Sequence, residues 1–239
     1  MKRPPARPLI LAFDSAGSAC SVAVAIGGTV ICAERFATMH GQTEALLPVI
    51  DAVMQRARVR ARELDLIATT IGPGGFTGIR VGIAAARGIG LATNAQLIGV
   101  TGFEAVAARV VPPALDFTSF LLISLESRRE DLYVQLFDSA GHPVGEAQAV
   151  MPATLASVVI NATALVIAGD AAERAALLLS RGPPITVVEH SAPDAIGVLQ
   201  AALRRGWPCK QDDSLRPFYL RPPDVTISSA RQRTTISRP

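Results

Sequence analysis

The sequence predicts an α/β protein made of two similar lobes, each running β-β-β-α-β-α-β-α. Three features point to it. The chain has 239 residues, 49% hydrophobic and 18% charged, enough to bury a large core. Its apolar spacing switches between the period of two of a strand and the 3.6 of a helix. That alternation occurs twice, on either side of the proline-marked break "VPPALD" at 111–116. A duplicated, hairpin-led order implies two lobes facing a cleft rather than one doubly wound sheet.

The elements follow in order. "RPLILAFDS" (7–15) is an apolar strand ending in an acid, and "ACSVAVAIGGTVICAERFA" (19–37) holds two β-rich runs around Gly27-Gly28. Two glycines between such runs specify a tight hairpin, whose simplest register sets Cys32 opposite Ala23 and Cys20 on the other face. In 40–61 the period changes to helical, with Leu46, Leu47, Val49, Ile50, Val53, Met54 and Ala57 covering a wide apolar arc. "ELDLIATTIG" is a strand, 77–94 a helix, 95–100 a strand and 101–110 a helix. In the second half 117–127, 131–137 and 143–150 are strands, with a "DSAGH" turn between the last two. Helices at 152–160, 171–181 and 193–205 alternate with strands at 164–170 and 185–189. The domain reading is 1–110, 111–205 and a C-terminal segment 206–239, with helix 193–205 packing back on the first lobe. Phe218-Tyr219-Leu220 docks, and the Pro-, Ser-, Thr- and Arg-rich end forms a basic tail.

Composition narrows the function classes. No apolar run reaches the roughly 18 residues of a membrane span, and the start lacks the apolar segment of a secretory signal. Three cysteines, two of them on opposite hairpin faces, suit a reducing cytoplasm. The net charge of +3 rests on arginine, since only Lys2 and Lys210 are lysines, and is too mild to indicate nucleic-acid binding. His40, His142 and His190 are far apart, and neither His-x-x-x-His nor Cys-x-x-Cys occurs, so no metal site and no nucleophilic triad is expected.

Two stretches could carry chemistry. Asp14 ends the first strand and Glu126 ends its counterpart in the second half, so the two acids could face one cleft and hold Mg²⁺ or act as a base. "IGPGGFTGIRVG" (71–82) places glycines, Gly74 and Gly75 among them, at the mouth of a helix, where free N–H groups suit an anion. It lacks the Lys-Ser/Thr of a phosphate-binding loop and is not G-x-G-x-x-G. The alternative is close packing: Gly78, Gly82, Ala85, Ala86 and Ile89 share one side of the helix, with Arg80 and Arg87 opposite. Spacing leaves open whether the other backbone belongs to the same chain or to a partner.

"LILAFDSAGSACSVAVA", "HGQTEALLPVID", the glycine stretch with its helix, "LIGVTGFEAVA" and "FYLRPPDV" together resemble the TsaB family, over most of residues 8–225. The resemblance implies an actin-, hexokinase- and Hsp70-like (ribonuclease H-like) two-lobed fold. It implies a non-catalytic subunit without cofactor that supports TsaD in threonylcarbamoylation of adenosine 37 of ANN-decoding tRNAs, together with the ATPase TsaE. TsaD carries a His-Met-Glu-Gly-His metal motif where this chain reads "GFEAV", so Gly102 and Val106 replace its histidines and only Glu104 is shared. The family's partner surface lies on the first two helices, here 40–58 and 77–93, and is occupied by TsaD or by a second copy. Carried onto this sequence it comprises Leu46, Leu47, Ile50, Val53, Met54, Gly78, Gly82, Ala85, Ala86 and Ile89. The alternatives are an ATP-dependent kinase or acyl transferase using Asp14 and Glu126, or a metallopeptidase-like protein.

Overall fold

A computed structural model describes residues 5–36, 42–110, 119–160, 162–188, 192–208 and 215–221. The first sheet contains β1 (Leu9–Asp14), β2 (Cys20–Ile26), β3 (Thr29–Phe36), β4 (Leu66–Gly72) and β5 (Gln96–Thr101), in the spatial order β3-β2-β1-β4-β5. The second contains β6 (Ser119–Glu126), β7 (Leu132–Phe137), β8 (Gln148–Val150), β9 (Ala164–Ala168) and β10 (Ile185–Val187), in the order β10-β9-β6-β7-β8. Read from the other edge, the second sheet repeats the first. In each, three consecutive strands pair antiparallel, and the next two add to the leading strand in parallel.

Helices cover both faces of the first sheet. On one side α1 (Gln42–Arg56) and α2 (Phe76–Thr93) bury Leu46, Ile50, Val53, Met54, Ile79 and Ile83 against Leu11, Phe13, Val22 and Val24. On the other, α3 (Gly102–Val110) and α5 (Ala195–Arg205) cover Ile10, Ala12, Leu66 and Ile98, so α5 is a helix of the first sheet although it follows the second in sequence. The second sheet packs α4 (Ala172–Leu178) and a 3-10 stretch, Pro152–Val159, on one face. Its other face meets Phe103, Val106 and Ala107 of α3. That helix is therefore shared between the two sheets.

Several elements depart from expectation. A bulge between Val24 and Ala25 shifts the hairpin by one residue and sets Cys32 across from Val24. Strand alternation then puts Cys32 on the same face as Cys20, not the opposite one, but four residues along, and no disulfide joins them. The strand expected over 143–150 shrinks to Gln148–Val150, because Pro143 has no N–H to give the ladder and makes only an isolated bridge with Phe137. The helix expected at 152–160 is a 3-10 stretch whose valines restrict an α-helix. The "DSAGH" turn is closed by Asp138, whose carboxylate accepts the N–H groups of Ala140 and His142 at 2.9 and 2.8 Å. His40, His190, the 111–116 break and the basic tail lie outside the described residues. No helix among the described residues is long and apolar enough to cross a membrane.

Candidate functional site

Between the two sheets lies a cleft of about 660 Å³ whose lining includes Asp14, Thr70, Gly74, Gly75, Glu126 and Asp170. The fold thus brings all four sequence-derived ligand candidates, Asp14, Gly74, Gly75 and Glu126, to one cavity. The two acids are nonetheless largely engaged. Asp14 is buried and accepts the Ala16 N–H at 3.2 Å; burial pushes its pKa up to about 6 against the opposing hydrogen bond from Thr70. Burial, with the neighbouring Asp14 charge adding to it, also pushes the Cys20 thiol up to about 11. Glu126 is held by Arg174 of α4, whose Nη1 stands 3.1 Å from its Oε2. The acid that shares its strand end is Asp170, absent from the sequence reading: it accepts the Glu126 N–H at 2.9 Å, and burial raises its pKa. Its signal was available, an acid right after the "VIAG" strand.

The glycine stretch is a packing device within the chain. Ideal Cβ atoms on Gly78 and Gly74 stand 2.0 and 2.4 Å from the carbonyl oxygens of Ser15 and Ala16, and one on Gly82 stands 2.6 Å from Ser15 Oγ. The Gly75 N–H donates to Ala16 O at 2.8 Å, and Ser15 Oγ donates to Gly78 O at 2.9 Å. The loop therefore spends an N–H that an anion needs on the β1–β2 turn, and α2 lies against that turn as only glycine permits.

The ten residues carried over as a partner surface divide accordingly. Leu46, Ile50, Val53, Met54, Gly82, Ala85 and Ala86 are buried in the first lobe's own core, Gly78 and Ile89 are half-buried, and only Leu47 is exposed. The wide apolar arc of α1 is wide because the helix fills the space between the sheet and α2. What the spacing missed is the outward row of α2. Thr77, Val81, Ala84, Gly88 and Leu91 recur at three- and four-residue intervals; Val81 is half-buried and the others are exposed, Leu91 at 89%. A Cβ on Gly88 meets nothing within 4 Å.

At the start of α3 the two positions aligned with metal-binding histidines are apolar in their surroundings as well as in kind. Val106 packs with Phe103, Ile123 and Leu125, and Gly102 lies against Leu125 and Pro193. Glu104 forms a capping box, its Oε2 accepting the N–H and hydroxyl of Thr101 at 2.8 Å, while its Oε1 takes Arg205 of α5 at 2.5 Å. These residues do not fit a metal. His142, the one histidine described, is exposed in the "DSAGH" turn, 3.5 Å from Asp138.

Comparison with known proteins places this geometry. Residues 35–176, more than half of the chain, match the family described as TsaD: tRNA N6-adenosine threonylcarbamoyltransferase. An uncharacterized protein of Mycobacterium tuberculosis is 30% identical over 218 residues, 90% of this chain and 93% of its own length. The tRNA threonylcarbamoyladenosine biosynthesis protein TsaB of Escherichia coli is 34% identical over 98 residues, 41% of this chain and 42% of its own. The solved structure of YeaZ from Pseudomonas aeruginosa superposes with a TM-score of 0.74 at 23% identity, covering 89% of this chain and all of that one, and so shares the fold. The paired lobes are of the actin- and hexokinase-like type. The chain belongs to the TsaD, or tRNA N6-adenosine threonylcarbamoyltransferase, family, as a TsaB-like member of it.

Proposed function

We propose that the chain is a non-catalytic partner subunit in the threonylcarbamoylation of adenosine 37 of tRNA, docking on a TsaD-type catalytic subunit through the outer face of α1 and α2. TsaE is the further partner in the assembled machinery, tRNA is met through the complex, and a second copy of the chain uses the same face when the catalytic subunit is absent. The setting is cytoplasmic.

One observation carries the reading. A helical glycine costs about 1 kcal/mol relative to alanine unless something needs its missing side chain. Gly78, Gly82 and Gly90 each have a close neighbour in the chain itself, whereas Gly88 sits in open space beside an exposed leucine. A helix of another subunit, approaching along Ala84, Gly88 and Leu91 with Leu47 at its flank, accounts for both. Supporting it, Glu104 is fully committed to holding α3 and α5, and its neighbours offer no metal donor.

Buried Leu46 and Gly82 are unsuited to testing this, because Leu46→Asp or Gly82→Arg breaks the core. Gly88→Arg and Leu91→Asp are suited. Each is expected to abolish co-elution with TsaD in size-exclusion chromatography while moving the isolated chain's stability by less than about 1 kcal/mol. Undiminished co-elution overturns the proposed face. The functional counterpart is reconstituted tRNA modification, expected to depend on this chain only when TsaD, TsaE and the adenylate-forming enzyme are all present.

A further inference from the structure

The segment 215–221 touches both lobes within seven residues. On the first lobe, Leu215 is fully buried in the core under α1 and α2, and its carbonyl accepts a hydrogen bond from Arg87 Nη2 at 3.2 Å. The Phe218 N–H donates to Ile71 O at 2.7 Å, and the Phe218 carbonyl runs so close to Gly72, φ +124°, that a Cβ there falls 2.3 Å from it. Tyr219 stacks on Phe76 with ring centroids 5.4 Å apart, and Arg80 lies 3.7 Å over the same ring while its Nε donates to the Tyr219 hydroxyl at 3.2 Å. On the second lobe, Phe218 and Leu220 pack on the cluster of Phe103, Leu121, Ile123 and Leu125. Arg221 then closes an ion pair with the buried Asp131 of the β6–β7 loop at 3.0 Å.

Phe218 to Arg221 also line the cleft, alongside Gly74–Phe76 of one lobe and Leu125–Arg129 of the other. We infer that residues 215–221 are a strap that fastens the lobes to each other and sets the opening of the cleft. The physical basis is the division of its contacts. The anchors on the α2 side are a backbone hydrogen bond, an aromatic stack and a fully buried leucine. The anchors on the far side are the packing of half-buried Phe218 and Leu220 and one ion pair whose acid is buried. Removing that charge pair loosens the far end while the near end stays attached. The lobes are also joined by a long hydrogen bond from Arg128 Nη2 to Gly17 O at 3.5 Å across the cleft and by α3, packed between both sheets, which serves as the fixed side about which they part.

The test is hydrogen exchange on the full chain, comparing the parent with Tyr219→Ala/Arg221→Ala. Exchange in the cleft-facing loops, 15–18, 73–75 and 125–131, is expected to speed up about tenfold, with the central strands β1 and β6 unchanged. Unchanged exchange in those loops, although the strap itself has lost protection, overturns the inference. If the double variant does not fold, Arg221→Gln, which keeps the side-chain bulk and removes the charge, is read by the same two outcomes.

Discussion

Gly78 and Gly88 lie ten positions apart on one helix and have opposite meanings. At Gly78 an added methyl lands 2.0 Å from the Ser15 carbonyl, and backbone must move to admit it. Gly78→Ala is therefore expected to cost about 2–4 kcal/mol in urea denaturation. Gly88→Ala meets nothing, so the isolated chain is expected to gain about 1 kcal/mol in the same measurement. Asp14 supplies a second single-residue prediction. Its pKa rises from 3.8 in the unfolded chain to about 6 when buried, so the native state holds the extra proton between these values and stability falls as pH rises through that window. Above pH 6 the charged buried carboxylate costs on the order of 2–3 kcal/mol. Asp14→Asn is expected to reduce the downward slope between pH 4 and pH 6 in a series of denaturation curves, the remainder belonging to Asp170, whose pKa burial raises in the same direction. Retention of the full slope assigns it to another group.

Elements follow the same division between local rules and context. The start of α3 is written in Thr101 and Glu104, a capping box at three-residue spacing, and α5 begins at Asp194, whose Oδ1 accepts the Gly197 N–H at 2.7 Å. Because Glu104 also binds Arg205, Glu104→Ala removes a cap and a helix-to-helix ion pair together. It is expected to cost about 1–2 kcal/mol, read as a lowered melting temperature with the secondary structure kept. The hairpin of β2 and β3 was legible from Gly27-Gly28, but its bulge was not. A bulge is chosen by how the strand's apolar side chains meet the helices above, and the hairpin sequence holds nothing of those helices. The short β8 was foreshadowed by Pro143, whose effect on the ladder is purely local.

At the scale of the whole molecule, two sheets of one topology share α3, enclose a cleft and are tied by a C-terminal strap. The duplication was legible because strand and helix periods are properties of consecutive residues, and so were the likeness of Asp14 to Glu126 and the want of metal ligands in "GFEAV". Tertiary structure alone decided which side of each helix is the inside. The apolar arc of α1 and the small face of α2 look the same in sequence whether they meet a partner or the chain's own sheet. Packing assigned Leu46 and Gly82 to the core and left Leu47, Gly88 and Leu91 to the surface. The roles of Arg80 and Arg87 were hidden for the same reason, since Tyr219 and Leu215, which they hold, lie more than a hundred residues away. By itself the sequence determined the order of elements, the repeat and the chemistry its side chains can offer, all of them set by neighbours along the chain. The fold alone decided burial, the width of the cleft and which helix side chains remain at the surface, because those depend on contacts between residues that sequence order keeps far apart.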